Sequence, residues 1–592
     1  MVICHLLSKL EIRNLKLGNG KLKQRRRLGF FSGIICVIFL LFTIDVYAQD
    51  ITAQYQLPPL ERAPKGSKAK KILKRAKVLR YAEEMPVKFT EVMDTGRYIQ
   101  ELKASIMKQV KKTEGEHNIL YFNGKTAGEL NRFMKNTGAS DQTEIILTKM
   151  KIILNEPINL KSHIIIRGSS THLVSNNINI AIIGKDINNA GLKDLIIEEP
   201  LECGIMLINT AGLVIDNITI ANGRNRGMVI RGGSRFIHIN HSKFVENKSG
   251  GIMIQEGSHH VCVTNCEISD GHSSSNWSAG IVITHLLPVS EYGIMDEFDS
   301  DYFFPMDLSF KKEGTPFKNI IETSYIHDNQ SSGIYIDRGN GNVLMGNNIV
   351  DNDKEGLCID FFSVGNIVES NIINGNGFRK SQSDDDLRHD FVLHFGRLAD
   401  GSAVSKLPNI SLDNAAYNII ARNAISNAAG DGIKIVRSGF RNIFCLNSIT
   451  DNNRGENSVF FFSGVLLGSA GSDVENDTSG IDAFPSIENI IFGNTIYGTH
   501  KAGVCIDRGS VYNDIYDNMI MKQKDKYIIQ NGYPNSIIGN NFNIKEPESK
   551  VKLIISKKQV VFFTLIVLIG LVLSVFSGIV SFLLIKRYFK KN

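Results

Sequence analysis

Residues 204–207 read Gly-Ile-Met-Leu, residues 227–230 read Gly-Met-Val-Ile, and residues 251–254 read Gly-Ile-Met-Ile. A glycine followed by alternating apolar residues therefore returns after 23 and then 24 positions. The same pattern begins again at Gly280, Gly333, Gly356, Gly432 and Gly503. Alternation with a period of two is typical of strands with one buried face, and a fixed period of this length indicates a repeat architecture. We predict an all-β, three-sided solenoid of roughly a dozen coils.

An asparagine recurs in the second strand of each repeat, just before an apolar pair. The asparagines concerned are Asn347, Asn371, Asn423, Asn447, Asn494 and Asn518. When coils stack in register, each side-chain amide can donate to the asparagine of the next coil and accept from that of the previous one. The sequence therefore predicts a ladder of asparagines along the solenoid.

The composition agrees with a chain that folds through many tight turns. The 592 residues include 43% hydrophobic residues, 52 glycines and one tryptophan, which excludes global disorder and does not favour long helices. The net charge of +7 suits an anionic partner without identifying it. The eight cysteines contain no CxxC pair, so neither a disulfide framework nor a zinc site is expected.

Both ends of the chain carry an apolar run beside a basic cluster. The run that ends in Val46-Tyr47-Ala48 suits signal peptidase, so residues 1–48 are predicted to be a signal peptide or an N-terminal anchor. Residues 560–585 carry no charge and are long enough to span a bilayer, and residues 586–592 form a basic tail. Because both basic flanks belong on the cytoplasmic side, we expect the intervening chain outside the cytoplasm, in the periplasm or the extracellular space.

Three further segments lie between these ends. They are a basic linker and helical cap over residues 49–142, the β-solenoid over residues 143–545, and a linker over residues 546–559. Residues 91–112 and 127–135 have the amphipathic pattern of helices. We expect these two helices to cap the open end of the solenoid and shield its unpaired strand edge.

The repeats resemble the right-handed parallel β-helix of the pectate lyase-like superfamily over roughly residues 143–545. Residues 144–147 and 160–168 resemble the first coils of such proteins. The superfamily includes polysaccharide lyases, hydrolases and uronate epimerases, so the resemblance implies a right-handed β-helix that acts on a polysaccharide. The Asp-Pro-His-Asp motif of the alginate epimerase branch is absent, and only Arg388-His389-Asp390 remotely echoes it.

The residue after the second buried position of each first strand should point away from the core. Down the repeats this column contains Arg231, Gln255, Thr284, Asp337, Asp360, Val436 and Asp507. Residues 391–394 fit the same frame and add His394 after Asp360, at about 4.8 Å per coil. Two neighbouring carboxylates raise one another's pKa, and histidine titrates near neutrality. We therefore predict Asp337, Asp360 and His394, with Arg338, as the catalytic residues.

Residues that flank this column are predicted to bind substrate. They are His285, Tyr335, His389, Asp390, Arg437 and Arg508. Arginine can clamp a carboxylate with two parallel hydrogen bonds, which recognition of an acidic sugar requires. The long interruptions of the repeat at residues 286–317 and 376–408 are expected to wall a cleft beside the column.

Three functions remain open from the sequence. A lyase or C5-epimerase would remove the proton α to a uronate carboxylate, with His394 or Arg338 as base; the resemblance to pectate lyases implies Ca²⁺ on Asp337 and Asp360. Paired carboxylates would instead suit a glycoside hydrolase, and a non-catalytic protein would bind polysaccharide or act in export and assembly of the cell envelope. The expected partners are an acidic polysaccharide and, through the C-terminal helix, the membrane; no nucleic acid is expected.

Overall fold

The computed structural model describes residues 95–113, 115, 117–137, 142–273, 275–285, 314–360, 363–378, 395–397, 403–405, 407–435, 439–453, 463–468, 486–498, 500–506, 510–523, 526–530 and 535–542. The predicted signal segment, membrane segment and basic tail lie outside the described residues. Within the described part of the chain, no helix has both the length and the apolar character needed to span a bilayer.

The described residues form a solenoid of parallel strands with three faces. The first face is a parallel sheet of 13 strands, one from each coil. In chain order these strands are Ile158–Asn159, Ile180–Lys185, Cys203–Ile208, Arg226–Arg231, Ile252–Gln255, Ile281–Thr284, Ile334–Asp337, Leu357–Asp360, Ile410–Leu412, Ile433–Ile435, Ser463–Leu467, Ala502–Ile506 and Lys526–Gln530. This sheet confirms the predicted all-β solenoid of about a dozen coils.

The second and third faces belong to one parallel sheet of 25 strands. The second face comprises Asn118–Phe122, Thr143–Leu147, Ile164–Ser175, Asn188–Glu198, Ala211–Ala221, Arg235–Asn240, His259–Thr264, Ile320–Glu322, Val343–Met345, Ile367–Glu369, Ile419–Ala421, Ile443–Cys445, Ile490–Phe492, Asp514–Tyr516 and Ser536–Ile538. The third face comprises Lys151–Leu154, Lys243–Val245, Glu267–Ser269, Tyr325–His327, Asn348–Val350, Ile372–Asn374, Ala424–Ser426, Ser448–Thr450, Thr495–Tyr497 and Met519–Met521. Three long strands of the second face continue onto the third. A separate antiparallel pair joins Phe395–Arg397 to Ala403–Ser405.

One apolar core fills the inside of the solenoid along its length, from Phe122 to Ile520. The strand Ile334–Asp337 shows how the alternation works, since both of its isoleucines are buried in this core while the residues between and after them point away. The six cysteines in the described residues are buried, and no disulfide joins them.

Buried asparagines run along all three corners. In the predicted ladder, Asn347 Nδ2 donates to Asn371 Oδ1 and Asn371 Nδ2 to Asn423 Oδ1, each at 3.0 Å. This confirms the first ladder, which continues to Asn518. The second ladder consists of Asn319, Asn342, Asn366, Asn418, Asn442, Asn489, Asn513 and Asn535, and the third of Asn329, Asn352, Asn376, Asn409 and Asn452. The ladders satisfy polar groups that the corners would otherwise bury without partners.

The helix Ala127–Asn136 closes the N-terminal end of the core. Thr126 caps it, accepting the Glu129 amide in a capping box. Leu130 and Met134, on one side of the helix, are fully buried in the core. The predicted capping role is confirmed for this helix.

The helix Thr95–Val110 does not cap the end, which corrects the prediction for residues 91–112. Its buried residues lie in one apolar cluster with side chains that point outward from the second face. The cluster includes Ile99, Leu102, Ile106, Val110, Val214, Cys262, Ile320, Val343 and Ile367. Thr95 Oγ1 donates to Glu369 Oε2, and Thr113 Oγ1 donates to the Gly212 carbonyl, each at 2.7 Å. The helix therefore runs along the solenoid and clamps several coils from outside.

The first ladder gives a direct test of what holds the coils together. Asn347→Ala leaves the Ser324 amide without its acceptor and the Ile321 carbonyl without its donor. Each buried group without a partner costs about 1–3 kcal/mol, so we expect the free energy of unfolding to fall by about 2–5 kcal/mol. Asn348→Ala, at the half-buried next position, is the matched control and should cost less than about 1 kcal/mol. Urea unfolding measures both, and equal losses would contradict the ladder's role.

The third ladder passes from Asn452 to His500, whose Nε2 lies 3.2 Å from Asn452 Nδ2. Burial lowers the pKa of His500 from 6.5 to about 4. As the pH falls, His500 is protonated in the unfolded chain, near pH 6.5, before it is protonated in the folded protein, near pH 4. The contribution of neutral His500 to stability is therefore complete above pH 6.5 and is lost progressively between these two values. The loss amounts to about 3 kcal/mol. We expect His500→Asn, which extends the ladder with another amide, to remove this loss of stability at acidic pH. Urea unfolding at neutral and acidic pH measures the effect. An unchanged pH dependence of the free energy of unfolding would contradict the prediction.

Candidate active site

The predicted column is present from Gln255 to Asp360, on both sides of the interruption at residues 286–317. Gln255 is in register with Thr284, Thr284 with Asp337, and Asp337 with Asp360. Parallel neighbours lie about 4.8 Å apart, so the two aspartates project side by side from adjacent coils. The register of the first face therefore creates a pair of carboxylates.

The order of the column after Asp360 needs correction. The strand Leu357–Asp360 pairs with Ile410–Leu412, and the amide of the next residue, Asp413, donates to the Ile359 carbonyl at 2.9 Å. Asp413 therefore takes the place in the column that was predicted for His394. The described residues do not include His394, nor the other predicted residues His389, Asp390, Arg437 and Arg508.

Sequence reasoning missed Asp413 and Lys434. Residues 410–413 read Ile-Ser-Leu-Asp, but Asn409 stands where the other repeats have glycine, so a search for glycine passes over this coil. Lys434 is in register with Ser411 and is 7% exposed. The sequence could have indicated Lys434, because it lies between the two buried isoleucines of a first-face strand, where a side chain points away from the core.

All three aspartates are buried, although the alternation predicted solvent-facing side chains. Asp337 is 1% exposed, and Asp360 and Asp413 are each 6% exposed. Burial penalises an ionised carboxylate unless hydrogen bonds or a nearby cation compensate. The chemistry of the site therefore depends on the partners of each carboxylate.

Among the described residues, Asp337 has a hydrogen-bond partner on one carboxylate oxygen only. Thr284 Oγ1 donates to Asp337 Oδ2 at 2.9 Å. Asp337 Oδ1 lies 3.5 Å from Arg338 Nε but forms no hydrogen bond. Burial raises the pKa of Asp337 to about 6, against the opposing effects of Arg338 and Thr284. This carboxyl group can therefore hold or release a proton close to neutral pH.

Asp360 is supported by a buried phenol. The Tyr335 hydroxyl donates to Asp360 Oδ2 at 2.8 Å, and Tyr335 itself is only 2% exposed. The ring packs edge-on against Trp277, with centroids 5.9 Å apart. Burial and the neighbouring aspartates raise the pKa of Tyr335 well above its ordinary value. Tyr335 thus remains a proton donor that stabilises the ionised form of Asp360.

Arg338 and His285 occupy equivalent positions at the ends of neighbouring strands. Arg338 is 8% exposed, and no residue that the structure describes forms a hydrogen bond with its buried Nη1. His285 is half-buried, and its Nδ1 lies 2.8 Å from the Gly314 carbonyl oxygen. The unpaired Arg338 Nη1 and the unpaired Asp337 Oδ1 belong to adjacent residues, so a ligand group that both donates and accepts hydrogen bonds would satisfy both.

Asp337 and Asp360 are the residues predicted to bind Ca²⁺. Calcium takes about six to eight oxygen ligands. Among the described residues, no group of three or more His, Cys, Asp and Glu side chains is placed to hold a metal ion. The Arg338 guanidinium already provides a positive charge beside Asp337. Calcium binding at Asp337 and Asp360 therefore stays a prediction, and no chemical step is assigned to it.

The chain was compared with known proteins. It is similar to the A-module of mannuronan C-5 epimerase AlgE6 from Azotobacter vinelandii, at 11% identity and a TM-score of 0.44 over 74% of this chain and 99% of that chain. It is also similar to the periplasmic alginate epimerase AlgG, at 12% identity and a TM-score of 0.36 over 74% of this chain and 88% of that chain. A third similar structure is the catalytic unit of a GH87 α-1,3-glucanase from Streptomyces thermodiastaticus, at 10% identity and a TM-score of 0.43 over 74% and 68%.

At these TM-scores the likenesses carry no argument about the reaction. No curated relative matches the sequence. The family model described as the right handed beta helix region matches residues 139–286 and 307–396. Together with the stacked parallel coils, this match confirms the resemblance: the chain forms a right-handed parallel β-helix, the fold of the pectate lyase-like superfamily.

Proposed function

We propose that this protein cleaves the glycosidic bonds of an acidic polysaccharide, with Asp337 and Asp360 as the working pair. The observation that carries this proposal is the register of the two buried aspartates on adjacent coils. Their surroundings differ, because Asp337 titrates near neutrality while Asp360 accepts a phenol hydrogen bond. Two carboxyl groups with different proton affinities are what acid-assisted cleavage of a glycosidic bond needs.

Asp337 is assigned the role of general acid. Thr284 holds its Oδ2, which leaves Oδ1 as the atom able to carry the proton. In the reaction Oδ1 gives this proton to the glycosidic oxygen as the bond to the sugar carbon breaks. The pKa of about 6 keeps a useful fraction of Asp337 protonated in mildly acidic solution.

Asp360 is assigned the complementary role of nucleophile or base. The hydrogen bond from Tyr335 stabilises its carboxylate form. As the bond breaks, the carboxylate either attacks the sugar carbon or takes a proton from the attacking water. Asp413, on the following coil, is a third carboxylate in the same column.

The preference for an acidic sugar rests on Arg338. Its buried Nη1 has no hydrogen-bond partner in the described part of the chain, and a uronate carboxylate would provide one. This same observation favours a second candidate, removal of the proton α to that carboxylate by a lyase or epimerase, with Arg338 neutralising the developing charge. The first candidate is preferred because Asp413, not His394, follows Asp360 in the column.

We further propose that the β-helix works outside the cytoplasm and is tethered to a membrane. The support comes from the sequence of the two ends, where apolar runs are flanked by basic residues on the same predicted side. An acidic polysaccharide of the cell envelope would be accessible from that location.

The pKa assigned to Asp337 has a consequence for stability. Its folded pKa of about 6 exceeds the ordinary 3.8, so the folded protein gains stability as the pH falls through this range, and the ionised form costs about 3 kcal/mol at neutral pH. We expect Asp337→Asn to raise the free energy of unfolding at neutral pH by about 1–3 kcal/mol while cleavage is lost. Urea unfolding across this pH range measures the change, and a loss of stability at neutral pH would contradict the assignment.

The reaction is tested with the full-length protein and a panel of acidic polysaccharides, followed by proton NMR. We expect new reducing ends, formed at least about 100-fold more slowly by Asp360→Asn. Asp328→Asn is the matched control because Asp328 lies just before the strand Ile334–Asp337, is exposed and has a positive φ that asparagine tolerates. Unsaturated or inverted sugars would establish the second candidate instead, and binding without any new signal would refute both.

A further inference from the structure

A cluster of rings and cations occupies the corner between the first and second faces, on the three coils before that of Asp337. We call it the histidine corner; it consists of Arg235, Phe236, His259, His260, Phe317 and Lys318. His259 pairs with Phe317 on the next coil, and Phe317 pairs with Asn340 on the coil of Asp337. Because Arg235 pairs with His259 one coil earlier still, the corner is one to three coils, or about 5–14 Å, from the coil of Asp337.

Ring packing fixes the orientation of the two imidazoles. His259 stacks on Phe317, with centroids 4.5 Å apart and an angle of 21° between the planes. His260 lies against Phe236, with centroids 5.1 Å apart. All four side chains are half-buried, so each ring keeps an accessible edge. The imidazoles are thus held in place before any ligand arrives.

The two histidines are bonded to each other through one nitrogen each. His259 Nδ1 lies 2.6 Å from His260 Nδ1. One proton must lie between these atoms, so one imidazole has its proton on Nδ1 and the other on Nε2. Burial lowers the pKa of both histidines to about 4, so both are neutral in neutral solution. The pair therefore presents one Nε2 that donates and one Nε2 that accepts, and no described residue bonds to either.

The corner also carries uncompensated positive charge. Arg235 and Lys318 are half-buried, and neither forms an ion pair with any described residue. The nearby Glu256 is already paired with Arg231 at 3.0 Å. Gln255, on the same coil as His259, has a buried Oε1 without a hydrogen-bond partner. These groups leave a surface that can bind an anion and hydroxyl groups together.

We infer that the histidine corner is a binding subsite for a carboxylated sugar of the polysaccharide, one to three sugars away from the bond that Asp337 and Asp360 attack. The paired Nε2 atoms bind neighbouring hydroxyl groups, one as donor and one as acceptor. Arg235 and Lys318 bind the carboxylate. The distance to the cleaved bond rests on the proposed function, whereas binding at the corner does not.

The test is calorimetric titration of the full-length protein with oligogalacturonate and oligomannuronate, each also as its methyl ester. Arg235→Gln combined with Lys318→Asn removes both charges, and asparagine tolerates the positive φ of Lys318. We expect the Kd of the better acidic oligomer to rise about tenfold or more, since charge-assisted hydrogen bonds are lost, while that of its ester changes little. His260→Asn should weaken binding of both forms, because the hydroxyl contacts do not depend on the carboxylate.

Lys243→Gln is the matched control. Lys243 lies on the third face, paired with Glu267 at 2.6 Å, and its loss should leave every Kd unchanged. The inference is overturned if the charge-deleted variant binds the acidic oligomers as the wild type does, or if the wild type binds neither oligomer. Binding that depends on the corner without any Asp360-dependent cleavage would support the subsite and refute the proposed function. Asp360-dependent cleavage together with unaltered binding by the corner variants would support the proposed function and refute the subsite.

Discussion

The in-register stacking of parallel coils is the constraint on which the rest of this structure depends. Each coil satisfies the strand edge of the coil before it, and the corner asparagines tie successive coils together in the interior. Sliding a coil by one residue would turn its isoleucines outward and break the asparagine bonds at its corners. The stack consequently fixes the axial position of every outward side chain, including those of the first face.

This rigidity explains how the protein tolerates a buried row of carboxylates. Separate loops could move Asp337 and Asp360 apart to relieve repulsion and regain water, but adjacent strands of one sheet cannot. The cost is met by the long apolar core and by local partners, namely Thr284 for Asp337 and Tyr335 for Asp360. A raised pKa at Asp337 is the physical result of that compromise.

The sequence predicted the features that repeat, and it failed at the insertion after Asp360 and at the outer surface of the second face. The period and alternation were sufficient for the faces, the first ladder and the register up to Asp360. After Asp360, residues 391–394 and residues 410–413 both have the alternating apolar pattern of a first-face strand. The pattern alone does not show which of the two pairs with Leu357–Asp360, so Asp413 was missed. The helix Thr95–Val110 was misplaced because its apolar side does not reveal that the second face is apolar on its outer surface.

The correction from His394 to Asp413 changes the chemistry that the column can perform. A histidine provides a base for proton abstraction. A third carboxylate instead offers a second possible partner for Asp337, which we propose as the acid. Asp337 and Asp360 are one coil apart, about 4.8 Å, close to the roughly 5 Å of enzymes that retain the sugar configuration. Asp337 and Asp413 are two coils apart, about 9.6 Å, near the upper end of the roughly 6.5–9.5 Å that leaves room for water in inverting enzymes. The coil spacing thus links the stereochemistry of the product to the aspartate that works with Asp337.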